Sequence, residues 1–268
     1  MTLGRSSKMN NGWNPTRRNR NIGTAKQGHG QNNKLTIPQP RDTFLRFYER
    51  IDAPKKEEIV VHGSKIQVVI EKLKNGFSYS CTPSDVKKIL NRLPKEDLEG
   101  LEYIVFRQPK RKESILSAVW GRLIYYFEFE DDDGPAIIIE ATPAWKTYTY
   151  TKKQSVDDAL EFELLKKDGM EFKESKRAYV ANVDESVIRS VQLYRTLLHE
   201  VGHYVHYLQV VKRPNKEDAE LEDLDARTEA YFNLSKSTKE NFANRYAVEM
   251  KQKLTELGVI PFDKIVED

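Results

Sequence analysis

Arg195 to Leu208 read RTLLHEVGHYVHYL, and this stretch lies inside the most regular apolar pattern of the chain. Starting at Val187, the residues Val191, Tyr194, Leu198, Val201, Val205 and Leu208 recur at alternating steps of four and three. At about 100° per residue these positions form one helical stripe. Asn182 followed by Glu185 fits a capping box, so the helix is predicted to begin there. His199 and His203 stand one turn apart on a neighbouring face. One side of the helix therefore packs, and the side next to it presents two imidazoles.

Two imidazoles at i and i+4 on a rigid helix can bind one Zn²⁺ at about 2.0–2.1 Å, leaving places for a third protein ligand and a water. Glu200 follows the first histidine. Its carboxylate is placed to take a proton from water acidified by the metal and to pass a proton to a leaving amine. Gly202 is a poor residue for a helix interior, but it leaves room for close packing beside the metal. His206 falls on the same face about 4.5 Å further along the axis and reads as a structural or supporting histidine. The competing reading is a chance match, since the pattern has two free positions and a surface helix can carry His and Glu for solubility. The apolar frame of Leu197, Leu198 and Val201 favours the metal.

The third ligand must come from another element. No histidine follows His206, so a carboxylate serves unless His62 or Cys81 folds back. Glu217, Asp218, Glu220, Glu222, Asp223 and Asp225 form a charge run that reads as a solvated helix face. Glu229 and Glu240 remain. Glu240 opens ENFANRYA, residues 240–247, in which Phe242, Ala243, Tyr246 and Ala247 share an apolar face able to pack on the histidine helix. Ser237 with Glu240 three positions on is also a capping-box pattern, in which the carboxylate only bonds backbone. Glu240 is the preferred ligand and Glu229 the reserve.

The remaining elements read as an α+β layer. Val60–Val61 and Ile66–Ile70 are β-rich runs, and Asn75–Gly76 signals a hairpin from the second of them to Phe77, Tyr79 and Cys81. Thr82, Pro83 and Asp85 suit the cap and first turn of a helix running to about Leu93. Leu101–Phe106, Ala118–Phe129 and Ala136–Ala141 read as strands, the last two joined by the acidic turn Asp131–Gly134. Between residues 145 and 180, Thr147–Thr151 reads as a strand, Val156–Leu165 as a helix and Ala178–Ala181 as an edge strand.

The chain has 268 residues, a net charge of +3 and one cysteine. The first 41 residues carry eight basic side chains and no acidic one, so the remainder is mildly acidic. Residues 1–41 lack apolar periodicity and read as a disordered basic tail, either a contact for nucleic acid or an acidic partner, with Trp13 able to stack, or a solvated extension. Residues 42–268 form the folded domain, with 42–81 as an N-terminal β extension. A single cysteine excludes an internal disulfide and favours a reducing compartment, so the cytoplasm is expected. No apolar run has the length of a membrane span or a signal sequence, although non-classical export leaves no such mark.

RTLLHEVGH at 195–203 together with ENFANRYA at 240–247 resembles the HExxH zincins whose third ligand is a glutamate from a second helix. The pairing is similar to the ImmA/IrrE-type peptidases and to the catalytic domain of the anthrax lethal factor class. The resemblance implies a zincin-like fold, in which a mixed β-sheet packs on the active-site helix and a second, C-terminal helix supplies a ligand. It implies one Zn²⁺ per chain held by His199, His203 and Glu240, with Glu200 as the catalytic base of a metalloendopeptidase acting on a protein or peptide. An edge strand would pair with the extended substrate, and Ala136–Ala141 is the candidate. Tyr231, Tyr246 or His206 would stabilise the oxyanion or support the ligands. The alternative from another class is a catalytically idle zincin-like binding module whose basic tail recruits nucleic acid or a protein.

Overall fold

The computed structural model describes residues 51–110, 119–143, 147–152, 156–182, 184–213 and 221–266. The basic tail and the acidic positions Glu217, Asp218 and Glu220 lie outside the described residues. Strand β1 (Lys55–Val61) turns back on β2 (Ser64–Ile70) through His62 and Gly63. Both turn residues have positive φ, 49° and 84°, as a tight two-residue hairpin of this hand requires. Crossing over through helix α1 (Pro83–Leu90), the chain enters β4 (Tyr103–Arg107), parallel to β2. Thr82 caps α1 as its sequence predicts: its hydroxyl accepts from the Asp85 N–H at 3.2 Å, and the Asp85 carboxylate accepts from the Thr82 N–H at 2.9 Å.

Strand β6 (Asp132–Glu140) is parallel to β4, and β5 (Gly121–Phe129) is antiparallel to β6. The five strands run in the order β1-β2-β4-β6-β5, a mixed sheet with β5 at one edge. Three expectations are corrected here. Ala136–Ala141 is not the edge, because β6 is paired on both sides and Ala136 to Glu140 are all buried, the pattern of a strand covered on both faces. Asn75–Gly76 does not close a hairpin on β2, whose two sides are already taken by β1 and β4. Instead β3 (Phe77–Ser78) pairs with β7 (Thr142–Pro143). Ala178–Ala181 is not an edge either: β10 (Ala178–Asn182) lies between β8 (Thr147–Thr151) and β9 (Lys173–Glu174). Alternation along one strand reports how many faces are wet, not how many neighbours the strand has. Beside this small sheet runs helix α2 (Val156–Lys167), whose Leu165 packs with Met170, Ala181 and Val191.

The predicted long helix is one continuous rod with two irregular turns. Helix α3 (Glu185–Val191) passes through a π turn (Gln192–Thr196) into α4 (Leu197–Tyr207), which ends in a second π turn (Leu208–Lys212). The wider turns show as i to i−5 bonds, from Leu197 N–H to the Gln192 carbonyl and from Arg213 N–H to the Leu208 carbonyl. Its cap is Asp184 rather than Asn182, since Asn182 is still paired in β10 opposite Thr147. The Asp184 carboxylate accepts from Ser186 and Val187 N–H at 2.8 and 3.0 Å. The expected apolar stripe is also too narrow. From Leu197 to Leu208 every residue is buried except His199 and His203, which stay partly open.

Helix α5 (Leu221–Asn233) leads to α6 (Lys236–Glu256), which packs along α4. Leu198, Val201 and Val205 of α4 share one core with Val86 and Ile89 of α1, Ile104 of β4, Ile137 of β6 and Tyr246 of α6. Among the described residues no helix is long and apolar enough to cross a membrane.

Candidate metal centre

Contact between α4 and α6 is close enough to be set by backbone. A methyl group on Gly202 would stand 2.9 Å from Ala243 Cα, 3.0 Å from the Ala243 carbonyl oxygen and 3.1 Å from Tyr246 Cβ. Those distances leave no space for any side chain, so glycine opposite alanine lets the second helix reach the face that bears the histidines. The start of α6 then decides the role of Glu240. Ser235 caps the helix, its hydroxyl accepting from Thr238 N–H at 3.0 Å. Ser237 already lies inside the first turn, so the Ser237–Glu240 capping pattern is not used and the carboxylate turns onto α4.

Three ligand atoms converge there. One from each of His199, His203 and Glu240 lie within 4.8 Å of one another, the one such group among the described residues able to hold a metal ion. Glu240 Oε2 is 3.3 Å from His199 Nε2 and 3.7 Å from His203 Nε2. Good hydrogen bonds fall at about 2.7–3.2 Å. Tetrahedral zinc with bonds of 2.0–2.2 Å spaces its ligands about 3.3–3.6 Å apart. The first separation falls within that spacing and the second slightly exceeds it. The two rings are nearly perpendicular, 88° between planes and 4.6 Å between centroids.

The surroundings explain the charge state of the ligands. Burial by itself depresses the His199 imidazole, but its contact with Glu240 and the nearby Glu200 charge outweigh that and raise it above its ordinary value. The His199 contact first, then that of His203, holds the Glu240 carboxyl well below the usual carboxylate range. Metal binding needs neutral imidazoles, so at pH values below the raised His199 pKa the incoming ion displaces a proton. Zinc affinity is expected to fall about tenfold per pH unit once the pH drops below that value. Titration calorimetry over a series of falling pH values, in two buffers of different ionisation enthalpy, checks this, and an affinity that does not fall on acidification would contradict it. In the metal-free protein the sign for stability is the reverse. The raised His199 contributes at low pH and its contribution is lost as pH rises through its pKa, while Glu240 contributes above the ordinary carboxylate range and loses its contribution only in acid.

Several residues stand around the converging group, of which the sequence reading singled out Tyr231 and missed Asn244, Tyr125 and Leu123. Asn244, one turn beyond Glu240, stands by the His199 ring and adds to the rise of its pKa. Tyr231 donates to the His203 carbonyl at 3.2 Å, and Tyr125 of β5 must donate to Tyr231, at 2.8 Å, because the single Tyr231 proton is already committed. Leu123 of β5 donates its N–H to Glu200 Oε2 at 2.7 Å. A backbone donor leaves no trace in residue type, and the tyrosines are legible only as aromatic side chains.

The other candidate residues have different partners. Tyr246 donates to Asp97 Oδ2 at 2.9 Å, and Tyr231, as above, to the His203 carbonyl. His206 stacks on Phe242 with centroids 4.4 Å apart, and burial, then the His203 charge, lower its pKa. Its Nδ1 is buried without a partner. Glu229 is exposed on α5 and outside the converging group, and Asp225 is exposed too. His62 bonds the Leu93 carbonyl at 2.9 Å from the β1–β2 turn. Cys81 is buried ahead of α1, where burial pushes its thiol up to about 12. Comparison with known proteins adds no relative: no protein-family profile, curated protein or solved structure matches the chain.

Proposed function

We propose that the chain is a zinc-dependent hydrolase of the HExxH class, with a zincin-like arrangement of sheet, histidine helix and glutamate helix. Within that class it reads as a gluzincin-like metalloendopeptidase that cuts a protein substrate in a reducing compartment. The observation that carries the proposal is the approach of Glu240, from a second helix, to His199 and His203, with Glu200 beside them on the same turn. Mere solubility of a histidine-bearing helix does not account for a carboxylate brought there across a glycine–alanine contact.

His199, His203 and Glu240 would hold the metal, each offering one atom. Zinc bound there would acidify its water and polarise the carbonyl to be attacked. Glu200 holds one oxygen, Oε2, on the Leu123 N–H, which leaves Oε1 to take the proton from water. The same carboxylic acid then returns a proton to the amine nitrogen as the C–N bond breaks. Strand β5 supports the reading that the substrate is a peptide. Among the described residues it is an edge of the sheet and it packs on α4, so an extended chain can pair along it beside the site.

Metal removal tests the proposal. The zinc-loaded chain is expected to cleave unstructured protein or a peptide library, to stop on exhaustive chelation, and to recover on adding one equivalent of zinc. One tightly bound zinc per chain with no cleavage of any substrate in a proteome-wide screen would leave the binding-module reading in its place.

A further inference from the structure

The bond between Leu123 and Glu200 joins two things that the proposed reaction uses separately, the open edge of the sheet and the base. On β5 the Trp120 carbonyl accepts from the Glu140 N–H at 3.2 Å, so residues 120, 122 and 124 turn their backbone polar groups toward β6. Pleating then turns those of Gly121 and Leu123 the other way, to the side on which no described strand pairs. The pattern breaks after Ile124, where a bulge shifts the register before Phe127. The Leu123 N–H is therefore an edge donor, free of the ladder, and Glu200 occupies it. Its 2.7 Å length is that of a charge-assisted bond, and the Glu200 side chain is buried around it.

A carboxylate on one rotatable arm needs such a bond to be useful as a base. Unheld, it samples several rotamers, and a misplacement of about 1 Å can cost on the order of a hundredfold in rate. Gly121 brings the strand within reach. A methyl group there would stand 2.7 Å from the Ile138 carbonyl oxygen and 2.9 Å from Thr196 Cγ2, so β5 lies against the rod just before α4. Tyr125 adds a second tie through Tyr231 to the His203 carbonyl. The strand thus holds both the base and the turn that carries a metal ligand.

We propose that the Leu123 backbone N–H is a positioning group for Glu200, and that a peptide lying along β5 does not use it. This rests on the peptidase reading. The slot at Leu123 is filled by the carboxylate, so strand pairing by a substrate is interrupted there. A substrate-binding donor and a base-positioning donor have different kinetic signatures. Losing the former raises KM, whereas losing the latter lowers kcat.

Leu123→Pro removes this N–H at an edge position where proline costs no ladder bond, and it is read against Leu123→Ala, which keeps the N–H but also loses the side-chain packing on the core. The expected result is a kcat lower by about 10- to 100-fold, KM within about threefold of wild type, and one zinc still bound per chain. A raised KM with kcat unchanged overturns the proposal and gives the donor to the substrate. A second measurement needs neither activity nor a strand substitution: amide hydrogen exchange by NMR in wild type and Glu200→Ala. Protection of the Leu123 amide is expected to drop at least tenfold in the variant, while Arg122 and Ile124, bonded to β6, keep theirs. Equal Leu123 protection in both proteins overturns the proposal. A wild-type chain that cleaves nothing overturns the peptidase reading instead, and the exchange result still decides whether Leu123 holds Glu200.

Discussion

Glu200→Gln is expected to keep its zinc and its fold while losing about 10²–10⁴ in kcat, the range that a positioned general base contributes. The amide has the shape of the carboxylate, and its oxygen can still accept the Leu123 N–H, so the strand contact persists. What it cannot do is accept a proton from water. Glu200 is not one of the three converging ligand atoms, so metal content should stay at one per chain. Parallel measurement of peptide turnover and metal content checks both halves. Activity within tenfold of wild type would mean that the proton goes elsewhere, and lost zinc would make Glu200 a ligand.

Glu240→Ala is expected to produce the opposite pattern, with zinc lost first and activity lost as a consequence. Removing an outer partner of a metal ligand costs about 10- to 100-fold in affinity, and removing the ligand itself should exceed that. The comparison that isolates geometry is Gly202→Ala, which leaves all three ligands in the sequence. Its methyl group would meet the Ala243 backbone at 2.9–3.0 Å, and backbone does not yield as a flexible side chain does. The helices must separate, at a cost of about 1–3 kcal/mol in stability, and carry Glu240 away from the histidines. Competition with a chelator of known affinity measures both variants. Glu229→Ala serves as the reference and should bind zinc as wild type does, since that side chain is exposed on α5. Wild-type affinity in Glu240→Ala would remove the third ligand from the proposal and leave only the histidine pair.

The long helix was readable because its apolar residues recur with the helical period, and the first helix because Thr82, Pro83 and Asp85 carry the chemistry of a cap. Strand identities were mostly readable as well: Tyr103–Arg107, Gly121–Phe129 and the 136–140 part of β6 fall where β-rich runs stand, but the turn lies at Glu130–Asp131, so Asp132–Gly134, read as turn, already pair with β5. Neighbour relations were not. Asn75–Gly76 has good turn chemistry, yet the short strand Phe77–Ser78 beyond it pairs with Thr142–Pro143, since the β2 sides were filled by a hairpin at His62–Gly63 and by a parallel partner from further along the chain. Local preference sets the conformation of a turn, and competition among all strands sets its consequence.

The same division runs through the site. His199, Glu200 and His203 are placed by one helix, and a period of 3.6 residues suffices to put both imidazoles on one face, so the sequence by itself determined that pair and the carboxylate next to it. Glu240 was nameable as a candidate from its apolar neighbours, but whether it served as ligand or cap depended on where α6 begins, and Ser235 rather than Ser237 takes that position. Only the tertiary structure decided that Glu240 stands 3.3 Å from His199, and that β5 rather than β6 forms the edge beside Glu200. The reason is physical. Contacts within a helix follow from its repeat, whereas contacts between elements depend on how the whole core packs, and the donor that holds Glu200 is a peptide N–H that every residue except proline possesses.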